Sequence, residues 1–379
     1  MKRILVLNYE FPPLGGGGGV AAYKLAKGFI QNGYQVDYIT SWYKGLKKFE
    51  VVGGINVYRV RVLGRKELST ASMISMFTYS ISGFWKGVEL CRKNEYEFIN
   101  THFVVPTGPL GYVLSKLFGI KNILSILGGD IYDPSKKNSP HNRWYYRVII
   151  KFLLNRAEAV VAESSNIRTN CIKFYKPNKE VKIIPLAYEM NSISDITRKG
   201  LCLEENKKYM IGVGRLVKRK GFDFFIKVLT KLPDDICGII IGDGPEKESL
   251  KELAKELKIE HKIIFTGFVD QNKKFQYLQN SDIFFLSSIH EGFGIVLQEA
   301  MQVGLPIVAT NNGGQVDLIK DGENGFLIEF DDIEFGTEKV KEVLNNTDLK
   351  NKISKRNIAD IAKFDAKGVA SDYIKLSVI

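Results

Sequence analysis

Short apolar runs alternate with longer segments of helical periodicity along nearly the whole chain, and this alternation constrains the fold more than any other feature. The first run, 3–8, is followed by a glycine-rich loop at 15–19 and then by a helical pattern over 20–32. Strand-length apolar runs between helical segments are typical of buried parallel strands joined by crossover helices. The sequence therefore predicts an α/β fold with parallel sheets and right-handed βαβ connections.

The alternation falls into two series separated by a polar stretch. The first series predicts an N-terminal domain over 1–188, and 189–207 lacks periodicity and is predicted to be an interdomain linker. The second predicts a domain over 208–362, and a C-terminal helix over 363–379 is expected to pack on the body of the protein. Because 379 residues exceed what one hydrophobic core usually supports, we predict two Rossmann-like doubly wound domains facing each other across a cleft.

Individual elements can be predicted from the same periodicities. In the first series, the later strands are predicted at 35–41, 56–62, 97–101, 122–126, 159–162 and 181–184, and the later helices at 71–93, 107–118, 142–156 and 165–174. In the second, strands are predicted at 209–213, 237–241, 262–265, 282–286 and 306–309, and helices at 221–231, 246–258, 271–279, 294–302 and 332–345. Open α/β sheets bind ligands at the carboxyl ends of their strands, so the loops there are expected to hold the functional residues.

The composition is that of an ordinary soluble globular protein. Hydrophobic residues make up 45% and charged residues 25% of the chain, and no apolar stretch approaches the roughly 20 residues of a membrane-spanning helix. The N-terminus lacks the apolar region of a signal peptide, which predicts a cytoplasmic protein. The four cysteines are scattered without metal-ligand spacing, so reduced and mostly buried thiols are expected.

The net charge of +12 is concentrated in the first half of the chain. Residues 1–190 contain 27 basic and 13 acidic residues, whereas the remainder contains 27 and 29. Such a surface suits nucleic acid, an anionic membrane surface or an anionic acceptor, or is simply solvated. No nucleic-acid-binding motif accompanies the charge, so we expect no nucleic acid partner. The aromatic stretch 77–85 and the basic-aromatic stretch 143–147 favour the cytoplasmic membrane face, with a core position for both as the alternative.

The strongest chemical signal is a pair of glutamates eight positions apart. Glu291 follows the predicted strand 282–286, and Glu299 lies inside the helix that comes next. The intervening Gly292 and Gly294 allow a ligand to approach the backbone closely. The free N–H groups and positive dipole of a helix N-terminus suit a phosphate group, so 292–295 (Gly292, Phe293, Gly294 and Ile295) is predicted to contact one.

This segment resembles the E-x7-E signature of the retaining glycosyltransferase family 4, whose members have the GT-B fold. The resemblance covers most of 209–330, and its further motifs are GVGRLVKRKG at 212–221, IGDGP at 241–245, FTGFV at 265–269, GLPIVAT at 304–310, NGG at 312–314 and KDGENG at 320–325. The N-terminal half matches in layout, with fewer specific residues.

The resemblance implies how a nucleoside diphosphate sugar, a UDP- or GDP-sugar, would be bound. Arg215 and Lys220 would neutralise the diphosphate and stabilise the leaving nucleotide, which would remove the need for a metal cofactor. Glu299 would accept hydrogen bonds from the ribose hydroxyls, and Glu291 would face the sugar or the reacting centre. The neighbouring Lys218 and Arg219 are expected to be exposed surface cations. The predicted catalytic residues are therefore Glu291, Arg215, Lys220 and His102.

Other strand-end residues would complete the donor site. Gly214, Gly242 and Asp243 would lie near the nucleotide, with a purely structural turn at 242–244 as the alternative, and Phe268 and Val269 would border the base. The backbone of the glycine-rich loop, including Gly18 and Gly19, is expected to approach a phosphate or the transferred sugar. A dinucleotide-binding fingerprint also fits this loop loosely, but the acidic residue expected at the end of the second strand is absent.

The chain departs from the family pattern in the N-terminal half. Many family members have His-Gly-x-Asp where this chain has Leu127-Gly-Gly-Asp130, and that histidine contacts the donor sugar. Because the leucine side chain makes no hydrogen bonds, we hypothesise a donor such as a 6-deoxy sugar or a pentose. The alternative is that Leu127 is not the equivalent of this histidine, because of an error in matching the sequence to the family pattern. Asp130 is still expected to contact the sugar. His102 resembles the acceptor-side histidine of the family, with a structural loop histidine as the alternative.

The predicted reaction is transfer of the sugar to an acceptor hydroxyl with retention of the anomeric configuration. The resemblance implies a front-face route in which the donor phosphate takes the acceptor proton, so no enzymatic nucleophile is expected. The acceptor is predicted to be a polysaccharide, a glycolipid or a lipid-linked oligosaccharide. The alternatives are a non-catalytic nucleotide-sugar-binding protein and another GT-B enzyme, such as a sugar-nucleotide epimerase.

Overall fold

The computed structural model describes residues 2–68, 71–192, 194 and 196–378, which form two compact units. The first unit contains residues 2–189 and returns at 364–378, and the second contains 190–363. Ile193 and Asp195, which fall in the predicted linker, lie outside the described residues. Among the described residues, none of the helices is both long and apolar enough to cross a membrane.

The first unit is built on an eight-stranded sheet. Its strands are β1 (Arg3–Leu7), β2 (Gln35–Ser41), β3 (Phe49–Val52), β4 (Ile55–Val60), β5 (Phe98–His102), β6 (Lys121–Ile126), β7 (Ala159–Ala162) and β8 (Val181–Ile183). The strand order is β3-β4-β2-β1-β5-β6-β7-β8, and all neighbours are parallel except β3 and β4. Strand β1 is fully buried over Ile4–Leu7, as expected for the centre of a sheet covered on both faces.

The antiparallel edge hairpin β3–β4 was not predicted from the sequence. Two adjacent glycines, Gly53 and Gly54, connect its strands, and both have positive φ angles (57° and 85°). A two-residue Gly-Gly connection is a recognised hairpin signal, because both central residues of the turn need positive φ. The alternating exposure of β3, which lies at the sheet edge, obscures the apolar run that marks the buried strands.

The helices of the first unit are α1 (Gly17–Gln31), α2 (Met73–Lys93), α3 (Gly108–Phe118), α4 (Trp144–Arg156), α5 (Ser165–Tyr175) and α12 (Ala366–Val378). The predicted start of the first helix at residue 20 was wrong, because α1 already begins at Gly17 and takes up part of the predicted glycine loop. The apolar side chains of α1 and α12 share one core cluster, and those of α2 and α3 share another. Helices α4 and α5 pack over Leu124 and Val160 in a third.

The second unit is built on a six-stranded parallel sheet in the order β11-β10-β9-β12-β13-β14. Its strands are β9 (Lys208–Val213), β10 (Ile236–Ile241), β11 (Ile263–Gly267), β12 (Ile283–Leu286), β13 (Ile307–Thr310) and β14 (Phe326–Ile328). Its helices are α6 (Phe222–Thr230), α7 (Lys247–Glu256), α8 (Gln271–Gln279), α9 (Ile295–Gln302), α10 (Ile333–Asn345) and α11 (Thr347–Ile361). Strand β14 and helix α11 were absent from the sequence prediction.

The segment predicted as a linker is anchored on the second unit. Arg198 donates hydrogen bonds to the Asp282 carboxylate (2.9 Å) and to the Asn280 carbonyl (3.2 Å). Asn191 and Gln302 exchange hydrogen bonds, including a backbone N–H of Asn191 to Oε1 at 3.1 Å. The described part of this polar stretch contains one short 3-10 turn, Arg198–Leu201, and specific side-chain contacts hold it on the second unit.

Candidate active site

The loops that follow the strands of the second unit meet at one edge of its sheet. Strands β10, β9 and β12 are adjacent and parallel, so the residues after them lie next to one another. Gly214 and Arg215 follow β9, Gly242 and Asp243 follow β10, and the loop to Glu291 follows β12. This is the edge at which open parallel sheets bind their ligands.

A close backbone contact fixes the position of Glu291. Its carbonyl accepts a hydrogen bond from the Gly314 N–H (2.8 Å), and Glu291 pairs with Gly313 as an isolated parallel bridge. Gly313 has a φ of 129°, and a Cβ atom there would lie 2.3 Å from the Glu291 carbonyl oxygen. Only glycine allows this approach, which explains why the Asn-Gly-Gly turn accompanies the glutamate.

The Glu291 carboxylate is buried within a cluster of cations. One oxygen contacts Lys220 Nζ and accepts a hydrogen bond from Ser288 Oγ (2.8 Å), and the other lies 3.8 Å from Arg219 Nη1. Burial alone would raise the pKa of Glu291, but the charges of Lys220 and Arg219 and the two hydrogen bonds outweigh it, so the pKa is lowered. Glu291 is therefore ionised at neutral pH.

Arg219 lies in the candidate site, contrary to the prediction from the sequence. We predicted an exposed surface cation, but the side chain is partly buried, contacts Glu291 and donates a hydrogen bond to the His290 carbonyl (2.5 Å). Its own carbonyl accepts a hydrogen bond from the Ile289 N–H (2.9 Å). Arg219 thus holds the loop that carries Glu291, whereas the adjacent Lys218 is exposed, as predicted. Nothing in a Lys-Arg-Lys run distinguishes these side chains before the fold is known.

Glu299 is a second buried carboxylate, located within α9 and 3% exposed. Its Oε1 atom accepts hydrogen bonds from Lys274 Nζ (2.6 Å) and from Gln271 Nε2 (3.3 Å), both in α8. Its Oε2 atom is buried and has no hydrogen-bond partner in the part of the chain that the structure describes. A buried carboxylate oxygen without a donor is costly, so this atom is available to a hydroxyl group of a ligand.

The other residues predicted to bind the donor differ in exposure and in their hydrogen bonds. Arg215 is exposed, and its guanidinium has no side-chain or backbone acceptor among the described residues. A Cβ atom at Gly242 (φ 147°) would lie 1.9 Å from the Gly214 carbonyl oxygen, so this packing requires glycine at position 242. Asp243 caps Gly244 N–H (2.8 Å), and its hydrogen bond from Lys247 lowers the pKa of its carboxyl group.

The N-terminus of α9 lies between the two glutamates. Gly294 precedes the helix with a φ of 109°, and its carbonyl accepts hydrogen bonds from the N–H groups of Leu297 (2.9 Å) and Gln298 (3.4 Å). The N–H groups of Ile295 and Val296 precede these bonds and have no carbonyl one turn earlier within the helix. Phe293 is 2% exposed, whereas the neighbouring Gly292 is partly exposed. At the end of β11, the Phe268 ring is 84% exposed, and Val269 is partly buried.

In the first unit, His102 lies at the end of β5 and is only 2% exposed. Neither ring nitrogen has a hydrogen-bond partner within residues 2–68, 71–192, 194 and 196–378. Burial lowers the pKa of His102 to about 3, so the imidazole is neutral at physiological pH. A buried neutral imidazole with two unmatched nitrogens is suited to hydrogen bonding with a ligand, and it is unusual for a histidine with a purely structural role.

Asp130 connects the loops that follow β5 and β6. Its two carboxylate oxygens accept hydrogen bonds from the backbone N–H groups of Val104 (2.7 Å) and Leu127 (3.1 Å). Burial raises the pKa of Asp130 to about 6. With both oxygens engaged by backbone amides, the residue positions the two loops. Leu127 itself is partly buried and directly follows β6.

The glycine segment is shaped by two neighbouring side chains. A Cβ atom at Gly18 would lie 2.3 Å from the Phe103 ring, and one at Gly19 would lie 3.1 Å from Glu10 Cβ. The Glu10 carboxylate accepts a hydrogen bond from the Gly16 N–H (3.1 Å), next to the N-terminus of α1. Sequence reasoning missed Glu10, since only the fold brings this acid to the start of the helix. Among the described residues, no group of three His, Cys, Asp or Glu side chains is arranged to bind a metal ion.

Comparison with known proteins identifies the family. The model for Glycosyltransferase Family 4 matches residues 15–191, and the model for Glycosyl transferases group 1 matches residues 194–360. The chain belongs to glycosyltransferase family 4. Its class of activity is therefore glycosyl transfer, and its two parallel-sheet units are those of the GT-B fold.

Several characterised proteins of this type are similar to the chain over much of its length. The N-acetyl-alpha-D-glucosaminyl L-malate synthase of Bacillus anthracis is 25% identical, covering 95% of this chain and 93% of the relative. The N-acetylgalactosamine-N,N'-diacetylbacillosaminyl-diphospho-undecaprenol 4-alpha-N-acetylgalactosaminyltransferase of Campylobacter jejuni is 28% identical, covering 76% and 78%. The crystal structure of Anabaena HepE with UDP-glucose has the same fold, with a TM-score of 0.78 and 20% identity over 100% of both chains.

Proposed function

We propose that this glycosyltransferase moves a sugar from a nucleoside diphosphate sugar to an acceptor hydroxyl, with retention of the anomeric configuration and without a metal cofactor. The donor, a UDP- or GDP-sugar, would bind at the carboxyl edge of the second unit. The single observation that carries the proposal is Glu299, a buried carboxylate whose Oε2 atom has no donor among the described residues. A ribose hydroxyl of the donor would satisfy it.

The groups around Glu299 suit the rest of a nucleoside diphosphate. The first-turn amides of α9 offer N–H groups and a positive dipole to a phosphate. Arg215 supplies an exposed guanidinium for which no described residue provides an acceptor, and Lys220 supplies an ammonium group that contacts Glu291. A bound diphosphate would compete with Glu291 for Lys220, so donor binding would loosen this ion pair and let Glu291 turn to the sugar.

The resemblance to the retaining family implies the chemistry that we propose. A bond forms between the anomeric carbon and the acceptor oxygen, while the bond from that carbon to the diphosphate oxygen breaks on the same face. The acceptor proton passes to the departing diphosphate, which leaves as the free nucleotide. Arg215 and Lys220 would stabilise the negative charge that develops there, so catalysis would rest on positioning and electrostatics.

The donor sugar and the acceptor can be proposed more narrowly. Leu127 follows β6 at the position where the family pattern has a sugar-binding histidine, which favours a donor that lacks or does not use its 6-hydroxyl. HepE has been crystallised with UDP-glucose, which supports a UDP-sugar donor. The name of the Campylobacter relative specifies an undecaprenyl diphosphate acceptor, which supports a glycolipid or lipid-linked acceptor in glycan synthesis.

Turnover with a donor panel tests this proposal. The purified chain would be incubated with UDP- and GDP-linked hexoses, 6-deoxyhexoses and pentoses, with a polyprenyl-diphosphate sugar as acceptor. We expect release of one nucleoside diphosphate. The anomeric configuration of the new linkage, measured by NMR, should be the same as that of the donor sugar. Donor conversion without acceptor would indicate an epimerase, and tight binding without any turnover would indicate a non-catalytic binder. A preference for a 6-hydroxyl hexose would contradict the role given to Leu127.

A further inference from the structure

Three consecutive helices of the first unit form one layer on its sheet. Helix α3 packs against α2 on one side and against α4 on the other, where the rings of Tyr112 and Phe152 lie 5.1 Å apart. Two glycines bring α2 and α3 together, since Cβ atoms at Gly83 and Gly87 would lie 2.8 Å and 2.4 Å from Leu110 and Leu114. The outer surface of this layer is therefore continuous from α2 to α4.

Helix α4 is apolar on both of its faces. Ile150, Leu153 and Leu154 are buried against the sheet. The opposite face carries large apolar side chains in solvent, among them Trp144 (77% exposed) and Val148 (61% exposed); the full set is Trp144, Tyr145, Val148, Ile149 and Phe152. A helix that is hydrophobic all round is normally covered on all sides, so the exposed face of α4 lacks its partner.

Helix α2 extends the same exposed surface. Its outward apolar residues are spaced by three or four positions, which places them in one stripe along the helix: Ile74, Phe77, Ile81 and Trp85. Helix α3 adds Val113 and Leu117 at a spacing of four. An exposed apolar surface spread over three helices marks an interaction site in a soluble protein.

The charges of the three helices have almost entirely one sign. Glu89 is their only acidic residue, and it is already paired with Lys86 (2.6 Å) and Lys93 (2.9 Å). The basic residues are Lys86, Arg92, Lys93, Lys116, Arg147, Lys151 and Arg156. A partner for this surface must offer apolar contact and negative charge together.

We propose that the outer face of α2, α3 and α4 docks on the interfacial region of an anionic lipid bilayer. Tryptophan and tyrosine favour the boundary between headgroups and acyl chains, and lysine and arginine favour anionic headgroups, so the residues of this face match both parts of the interface. A second copy of the chain fits less well, because the two basic faces would repel each other. This docking does not depend on which donor the second unit binds.

Vesicle flotation of the full-length protein tests the docking surface. The probes are phosphatidylcholine vesicles with and without about 30% phosphatidylglycerol, at low and high salt, without any acceptor. We expect binding to the anionic vesicles that weakens in high salt. Each lysine contributes about a factor of five at such a surface, so Lys116→Gln with Lys151→Gln should weaken binding about 25-fold.

Two independent apolar variants separate docking from misfolding. Trp144→Gln with Val148→Gln alters α4, and Phe77→Gln with Trp85→Gln alters α2; we expect each pair to reduce vesicle binding at least tenfold. The matched control, Ile358→Gln with Lys355→Gln, changes an exposed isoleucine and an exposed lysine of α11 and should bind like the wild type. A far-UV circular dichroism spectrum like that of the wild type and a cooperative urea unfolding transition would verify that each variant is folded.

Two results would overturn the proposal. One is the absence of wild-type binding to anionic vesicles in low salt. The other is binding that the variants in α2, α3 and α4 reduce no more than the α11 control does. A concentration-dependent dimer that the α4 pair disrupts, without vesicle binding, would assign the face to self-association instead.

Discussion

At the scale of single residues, the candidate site is defined by what surrounds two buried glutamates. The spacing of Glu291 and Glu299 was predictable from the sequence, because it depends on one strand–loop–helix segment. Their partners were not: Arg219, Lys274 and Gln271 reach them from other parts of the chain. Contacts of this kind depend on how the elements pack, and local sequence contains no signal for them.

Arg219 should act as a positioning residue for Glu291. We expect Arg219→Gln to lower kcat/KM about tenfold, since the loop before Glu291 loses a charge-assisted hydrogen bond to the His290 carbonyl. Loss of a nearby cation should also raise the pKa of Glu291, which would move the acidic limb of the pH–rate profile to higher pH.

The adjacent cation provides the control for this prediction. Lys218→Gln removes the same charge from an exposed side chain one position away and should leave both the rate and the pH profile unchanged. Equal effects of the two substitutions would mean that Arg219 contributes only to the general electrostatic potential.

His102 should make the first unit sensitive to acid. Its folded-state pKa of about 3 lies below the value of about 6.5 in an unfolded chain, so below pH 6.5 the unfolded state binds a proton that the folded state does not. Stability is therefore lost as the pH falls from 6.5 toward 3. Between pH 7 and pH 5, His102→Asn should lose about 2 kcal/mol less unfolding free energy than the wild type.

Tryptophan fluorescence during urea unfolding measures the free energy of unfolding of the first unit. All three tryptophans, Trp42, Trp85 and Trp144, belong to the first unit, as does His102. His261→Asn, which changes an exposed histidine of the second unit, is the control and should keep the wild-type pH dependence. Identical pH dependence in all three proteins would contradict the prediction, because it would mean that His102 takes up its proton at the same pH in the folded and the unfolded protein.

At the scale of elements, the sequence predicted the buried strands and the amphipathic helices well and the boundary elements poorly. The apolar runs of β1, β5 and β6 are fully buried central strands, which are the easiest to recognise. The edge strand β3 has alternating exposure, and α11 has few apolar residues, so neither gave a clear periodic signal. The start of α1 was placed too late because consecutive glycines disfavour a helix in isolation.

Helices α1 and α12 pack with their backbones in close contact. A Cβ atom at Gly28 would lie 2.0 Å from the Ala366 carbonyl oxygen, so the C-terminal helix rests directly on the backbone of α1. We expect Gly28→Ala to destabilise the first unit by about 1–3 kcal/mol, because the backbone of α12 must move. Tryptophan fluorescence during urea unfolding is the measurement.

A second helical glycine gives a matched control. A Cβ atom at Gly368 in α12 would meet no atom within 4 Å, so Gly368→Ala should be neutral or stabilising by up to about 1 kcal/mol. If both substitutions stabilised the unit, α12 would not be docked on α1 in solution.

At the scale of the whole molecule, two parallel α/β units carry different parts of the chemistry. The second unit holds the two glutamates, the N-terminus of α9 and the cations Arg215 and Lys220, which we propose bind a diphosphate. The family models match both units. The first unit carries the buried His102 and the exposed apolar face, and the basic excess of the chain lies within its sequence. Composition predicted that asymmetry of charge, but the apolar face became visible only once the helices were packed.

The most direct test of the account is donor binding measured by thermal shift. A panel of nucleotides and nucleotide sugars would be applied to the wild type, to Glu299→Gln and to Glu256→Gln, an exposed carboxylate of α7 that serves as the control. One diphosphate series at 100 times its Kd should stabilise the wild type and the control by about 2.7 kcal/mol and should largely fail to stabilise Glu299→Gln. Equal stabilisation of all three proteins would contradict a nucleotide site at Glu299.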